Sequence, residues 1–424
     1  MQKICKKMNG HALLSDADVL KVIKNASKSS EIEIKSWSLK EKEGDPTGFL
    51  GEYLILEIEA LIDQNAVKLN FFVKSLPSSS QIKEFVKGIN LFHKEATVYS
   101  QLLSPMISVT GLRFSAISYF SRDDVIIFEN LSLKNFHLMP PGIKFNQKHV
   151  RTILNSLAQL HASSIVCEYN VLSKPFDAVY GDVLFEVSFC KTNQWFVTGM
   201  KSIVMIALKR SKYSKNPEMC ALINEKFMQG LETIYELVRE IPPKFKKVLC
   251  HRDIWRNNLM FKFDIKNGNE IDFSSPIECA LVDFQLARYL PPAEDILMTL
   301  YVLQRKHDRE MAFSDNLNYY YELLGKYLRK FNLNVNEILP FNELQESCEH
   351  FKLVGLLIKA IYLQTAQLPL GEMEKMREDD EKYQNYITND RPELLNYIDT
   401  DEDFREWMVE AVDELIDYIL IEKK

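Results

Sequence analysis

Four polar residues in a fixed order suggest chemistry in this sequence. Asp253 and Asn258 lie in the run His251-Arg252-Asp253-Ile254-Trp255-Arg256-Asn257-Asn258, Asp283 lies in Ala280-Leu281-Val282-Asp283-Phe284, and Lys74 lies upstream in Phe71-Phe72-Val73-Lys74. Phosphoryl transfer from ATP needs a carboxylate that positions an attacking hydroxyl and accepts its proton, and oxygen ligands that hold Mg2+ against the phosphates. Asp253 is the candidate base, and Asn258 and Asp283 are the candidate metal ligands. A polar surface turn gives no reason for H-x-D-x-x-x-x-N to be followed by a strand-borne D-F.

Such a site also needs a cation on the α- and β-phosphates, carried on a strand and held by a helical glutamate. Lys74 and Glu95, the latter in Phe92-His93-Lys94-Glu95, fit those places. Read singly, Lys74 is an ordinary strand-end lysine, and Glu95 is a solvated helix charge, as Glu84 would be on a similar edge. Their order ahead of Asp253 and Asp283 joins them into a set. Gly44-Asp45, Gly48 and Gly51-Glu52 precede the first strand, where glycines let backbone N–H groups approach phosphates; a β-turn accounts for them nearly as well.

These residues need elements to position them. Leu54, Leu56, Ile58 and Ala60 alternate with Ile55, Glu57 and Glu59, the period of a half-buried strand, and Leu69 to Lys74 reads as a second strand. From Gln81 to Leu103 the apolar residues Ile82, Phe85, Ile89, Phe92, Ala96, Tyr99 and Leu103 recur at helical steps, so one face of a long helix packs on the sheet until Pro105 ends it. Val125 to Phe128 is a short strand, His149 to Ser164 returns to helical spacing, and a lobe boundary near residue 130 follows. The remainder is mainly helical, apart from a β region in which Leu259 to Phe261 and Glu278 to Val282 flank a turn at Asn267-Gly268.

Composition narrows the classes. The 424 residues are 46% hydrophobic, enough for one large or two medium cores. A net charge of −7, with acidic residues spread along the chain, offers no basic face for nucleic acid. Seven scattered cysteines without a C-x-x-C pair suggest reduced thiols and a cytoplasmic setting. No stretch approaches the roughly 18 apolar residues of a membrane helix, so membrane insertion is not expected.

In this order the residues resemble the ecdysteroid kinase-like family of arthropods, also called CHK kinase-like, related to choline kinases and aminoglycoside phosphotransferases. The resemblance runs through Gly51-Glu52-Tyr53, Val73-Lys74-Ser75-Leu76-Pro77, Phe92-x-x-Glu95-x-x-x-Tyr99, Phe128-Glu129-Asn130-Leu131 and Leu157-Ala158-Gln159-Leu160-His161-Ala162-Ser163. His251, Asp253, Trp255, Asn257 and Asn258 are similar to the family's H-G-D-x-W-x-N-N, and Val282-Asp283-Phe284-Gln285 to its V-D-F-Q. Arg252 stands where the family usually has glycine, which restricts the loop, and the stretch after Gly51-Glu52 lacks the family's asparagine and small residues.

The resemblance implies an α+β, two-lobed protein-kinase-like fold, with a β-rich N-lobe over residues 1–130 and a larger helical C-lobe over 131–424. It implies a kinase that uses ATP and Mg2+ to phosphorylate a hydroxyl of a small-molecule alcohol, such as an ecdysteroid, another steroid or a xenobiotic. Gly48, Gly51, Lys74, Glu129 and Leu131 would bind the nucleotide, with adenine against the backbone near Glu129 to Leu131. Asp295 would brace the catalytic loop, a helix-terminal charge being the alternative, while His161 and His251 would be structural.

Two rivals remain. Arg252 makes the triplet read H-R-D, as in protein kinases, but only twelve positions separate Asp283 from Asp295, too few for an activation segment ending in A-P-E. The other rival is a nucleotide-binding or scaffold protein that kept the fold without turnover. The complete set of Lys74, Asp253, Asn258 and Asp283 argues against it.

Overall fold

The computed structural model describes residues 7–8, 11–42, 51–77, 84, 88, 90–265 and 270–422. The chain divides into two compact units: the first takes residues 1–139, 166–184 and 257–287, and the second takes 140–165, 185–256 and 288–424.

Alternation builds the first sheet. Leu54, Leu56, Ile58 and Ala60 of strand Glu52–Ile62 are buried, as are Phe71 and Val73 of Asn65–Ser75 and Val125 and Ile127 of Val125–Glu129. Successive strand side chains point to opposite faces, so these residues make one apolar face. Val19, Val22 and Ile23 of helix Asp16–Ser27 join its core. That helix starts on a capping box, with Ser15 Oγ accepting from the Asp18 N–H and Asp18 Oδ2 accepting from the Ser15 N–H. The antiparallel strand order is Ile32–Glu41, Glu52–Ile62, Asn65–Ser75, Val125–Glu129 and Ser118–Arg122.

The same register sets the opposite face. Lys74 pairs with Tyr53 and Ile126, and Phe72 with Ile55 and Phe128, so Tyr53, Phe72, Lys74 and Phe128 project together away from the apolar core. A slip of one residue would exchange Lys74 with Val73.

Of the long helix, Ile82, Phe85 and Ile89 lie outside the described residues. Leu91–Thr97 is helical and runs through a wider π-type turn, Val98–Leu103, into a further helix, Ser104–Thr110. Pro105 therefore does not end the helix as expected. It sits in the first turn of the last segment, where its missing N–H costs nothing, and Gly111 ends that segment at φ +68°.

Strands Leu259–Ile265 and Ile271–Leu281 pair antiparallel, and Phe136–Leu138 adds a third strand against the first of them. The expected turn at Asn267-Gly268 lies outside the described residues. The Leu281 N–H donates to the Phe114 carbonyl at 2.8 Å, tying this hairpin to the segment before the sheet's edge strand. Residues 257–287 thus pack with the N-terminal sheet, whereas the sequence reading draws one cut near 130; a single cut cannot represent a segment to which the chain returns.

The second unit is helical. Every residue of Ala293–Leu303 is buried, as are Leu353 through Thr365 of Lys352–Ala366, so both helices are enclosed on every side, the charged Glu294, Asp295 and Lys359 included. Where these two helices meet, a Cβ added at Gly355 would lie 2.7 Å from the Tyr301 ring. The short strands Val248–Cys250 and Arg288–Leu290 pair antiparallel, and the six described cysteines are free thiols. No helix among the described residues is long and apolar enough to cross a membrane. The expected α+β organisation, a β-rich N-terminal region followed by a larger helical one, is the one observed.

Candidate functional site

The first unit holds a cavity walled by Tyr53, Phe72 and Phe128 from the sheet and by Leu138, Met260 and Val282 from the smaller one. Lys74, Glu95, Glu129, Leu131, Asn258 and Asp283 all line it, so six of the expected site residues, drawn from four stretches of chain, come together within one unit. Gly48 lies outside the described residues. Gly51 is described, and an added Cβ there would come within 3.2 Å of Lys74 Cε and of the Ser75 carbonyl oxygen, so this position lets the backbone pass close over Lys74.

Lys74 is the centre of charge. Its Nζ lies 2.7 Å from Glu95 Oε2 and 3.2 Å from Asp283 Oδ1, and Lys74 and Glu95 are 4% and 2% exposed. Burial alone would push the ammonium down, but Asp283 and then Glu95 outweigh it and hold the group well above the ordinary lysine range. Glu95 is thus buried in an ion pair, whereas Glu84 is exposed; helical periodicity alone did not separate the two.

Asp283 has a left-handed backbone, φ +67°, and its N–H donates to Tyr99 Oη at 3.2 Å. Tyr99 is wedged edge-on against Phe128, at 4.6 Å, and Phe284, at 5.5 Å, which fixes the hydroxyl. Asn258 is joined to the same strand, its carbonyl accepting from the Val282 N–H at 3.1 Å. Asp283 Oδ1 is buried and accepts no hydrogen bond, its contact with Lys74 being one of charge. A carboxylate and an amide, both hard oxygen donors, suit Mg2+, and a buried carboxylate oxygen without a hydrogen bond suits a divalent cation.

The Glu129 carboxylate is already committed. It accepts two bonds from Arg113 Nη2 at 2.7 and 2.9 Å and one from the Ile117 N–H at 2.8 Å, and it pairs with Lys134. Whatever it offers a ligand comes from its main chain. Asn130 pins the next residues, its side chain capping the Ser132 N–H at 3.1 Å and donating to Asn70 Oδ1 at 2.6 Å.

Asp253 belongs to the second unit, five residues before Asn258 in the chain. Asp295 grips the loop that carries it: Oδ2 accepts from the His251 N–H at 2.7 Å and Oδ1 from the Arg252 N–H at 2.8 Å. Burial opposes the Asp295 carboxylate, but the hydrogen bond and charge of His161, the charge of His251 and the Arg252 N–H hold it below the usual range. His161, fully buried, bridges Asp295 and the Tyr320 hydroxyl, and His251 Nδ1 accepts from the Asp253 N–H at 3.1 Å. Both histidines are structural in this geometry.

Arg252 has φ +70°, the conformation that suits the glycine it replaces. Its guanidinium lies 2.6 Å from Glu294, 3.5 Å from Glu186 and over the Phe189 ring at 4.7 Å. Burial would raise Glu186, but Arg252, Arg288 and two backbone N–H groups bring it to about 2; Glu294 is raised by its own burial despite the same arginines.

Sequence reasoning missed Tyr362. Its hydroxyl donates to Asp253 Oδ1 at 2.5 Å, from the helix Lys352–Ala366. Nothing in the apolar run Leu353 to Leu363 distinguishes this tyrosine from a packing residue, and no local spacing points to Asp253.

The model of the ecdysteroid kinase-like family matches residues 49–333. A search of curated proteins found no match. Among solved structures, a Plasmodium vivax ethanolamine kinase is 11% identical, with 96% of this chain and 86% of that chain covered at a TM-score of 0.39. The AMP-bound complex of a spectinomycin phosphotransferase is 12% identical, covering 86% of this chain and 93% of that one at a TM-score of 0.33. Those two likenesses are distant. The family match spans the Lys74 strand, the Glu95 helix, the Asp253 loop and the Asp283 strand end, and the chain belongs to the ecdysteroid kinase-like family.

Proposed function

We propose that this protein is a kinase that uses ATP and Mg2+ to phosphorylate a hydroxyl of a small molecule, an ecdysteroid or another steroid or xenobiotic alcohol being the acceptor that family membership favours. The observation that carries the reading is the buried pair of Lys74 and Glu95, joined by the partly exposed Asp283, on the wall of one cavity, with Asn258 beside it. Such groups are expensive to bury, so on the wall of a cavity they ask for a ligand that uses them. A nucleotide triphosphate does: Lys74 would meet its phosphates, Asn258 and Asp283 would hold Mg2+, and Gly51 and the main chain near Glu129 and Leu131 would take the rest of the nucleotide. Mg2+ would supply charge neutralisation on the phosphates.

Asp253 then acts on the acceptor. Its carboxylate takes the proton of the acceptor hydroxyl while that oxygen bonds to the γ-phosphorus; the bond from this phosphorus to the β–γ bridging oxygen breaks, and ADP leaves. The six described cysteines, all free thiols, are in keeping with a cytoplasmic setting.

The test is ADP release by the purified protein with ATP, Mg2+ and a panel of ecdysteroids, sterols and small alcohols, beside Asp253→Asn and Asp283→Asn. Acceptor-stimulated turnover should fall by about 10³-fold in each variant while the fold persists. ATP binding without turnover on any acceptor would overturn the kinase reading in favour of a nucleotide-binding protein that does not transfer phosphate.

A further inference from the structure

We infer that Tyr362 is a positioning residue for Asp253: its phenol holds one carboxylate oxygen in place. The inference rests on the reading of Asp253 as the base.

The geometry leaves the phenol little freedom. Tyr362 Oη lies 2.5 Å from Asp253 Oδ1, and the two residues are 7% and 5% exposed. The Tyr362 ring stands edge-on to Trp195, with centroids 5.8 Å apart, and to Trp255, at 6.4 Å, the planes meeting at 76° in both pairs. Two indoles set at a steep angle to one ring stop it from turning, so the hydroxyl has a single place to point. The ring is carried by a helix buried from Leu353 to Thr365, which cannot shift without disturbing the core.

Asp253 is thereby held from two sides. Asp295 grips the two backbone N–H groups before it and His251 takes its own, which fixes the main chain. Main-chain anchoring does not by itself set the rotation of the carboxylate about its terminal bond, and the phenol bears on that rotation directly. An O–H donor to a carboxylate forms one of the stronger hydrogen bonds in proteins and favours the ionised form, the only form able to accept a proton. A base in the interior loses hydration that would otherwise keep it ionised; here one phenol replaces part of that water. In the transfer step, the acceptor's proton passes to the Asp253 carboxylate as the acceptor oxygen bonds to the γ-phosphorus, the bond from that phosphorus to the β–γ bridging oxygen breaks, and ADP departs.

Tyr362→Phe removes one oxygen and keeps both indole contacts. With ATP, Mg2+ and the acceptor that gives turnover, kcat should fall by about 10- to 100-fold, with the KM for ATP unchanged. The acid limb of the kcat–pH profile should move to higher pH, which a loss of packing would not cause. Replacing Tyr362 by 3-fluorotyrosine, a stronger donor of nearly the same volume, should move that limb to lower pH, and this arm decides the matter if the phenylalanine variant does not fold. Unchanged kcat and pH profile in both variants, where Asp253→Asn is inactive, would overturn the inference and leave the kinase reading standing. Lowered kcat with unmoved limbs in both variants would also overturn it, since Tyr362 would then serve packing alone. A wild-type protein without turnover on any acceptor would overturn the kinase reading, and this inference with it.

Discussion

Arg252 pays a backbone penalty and recovers it through its side chain. A left-handed φ of +70° costs a non-glycine residue about 1–2 kcal/mol, yet the guanidinium is the counter-charge of two buried carboxylates, Glu294 and Glu186. Arg252→Gly relieves the strain and strands Glu294, while Glu186 keeps Arg288. Breaking a buried pair costs about 3–5 kcal/mol, so the net loss should be about 1–4 kcal/mol near pH 8. The pH dependence has a definite sign. The Glu294 carboxyl, already raised from 4.5, rises further without Arg252, and a raised carboxyl loses stability as pH climbs above its unfolded value. Glu186, held at about 2 partly by Arg252, contributes stability above 4.5, and the variant forfeits part of that gain. The Glu186 loss is already nearly complete at pH 4.5, whereas the Glu294 effect builds above it, so the deficit is larger at pH 8 than at pH 4.5, and urea unfolding at the two pH values checks it; a deficit that is constant or shrinks with pH would refute the account. At this scale the sequence was informative where chemistry imposes a spacing. Asp253, Asn258 and Asp283 stood out because one loop and one strand carry them in order, whereas Tyr362 is brought to Asp253 across 109 positions by tertiary packing alone.

Elements obey their neighbours before their own propensities. Gly355 lies inside the helix Lys352–Ala366, where alanine would ordinarily be favoured by about 1 kcal/mol. Here the added methyl would meet three atoms of the Tyr301 ring at 2.7 to 3.1 Å, and that ring is held in turn by the Arg309 guanidinium 3.9 Å from its centroid. Gly355→Ala should therefore destabilise the protein by about 1–3 kcal/mol, the sign opposite to helix propensity, as thermal unfolding would show. Stabilisation would mean that the ring has room to move. Pro105 makes the same point in reverse: read as a stop, it opens a new helical segment, because the wide turn before it lies in no pattern that periodicity detects.

For the whole molecule, the alternating strands and the apolar helices were readable because each burial pattern is local, whereas the division into units was not, because the first unit is gathered from three separate stretches. Residues 257–287 supply Asn258, Met260, Val282 and Asp283 to the cavity, so a fragment ending at Met139 has the Lys74 wall without the opposite one. Such a fragment should bind no Mg2+–ATP analogue by calorimetry, at concentrations where the full chain does. Binding of equal affinity by the fragment would show that the hairpin is dispensable. The same arrangement has a consequence in time. A ribosome making this chain must add 148 residues after Met139 before Ala287 is in place, which takes about 7–30 s at ~5–20 residues per second. Throughout that interval Phe72, Phe128 and the Lys74 ammonium sit on a sheet face whose covering hairpin is incomplete, so the nascent chain shows one wall of the cavity to chaperones before the opposite wall exists.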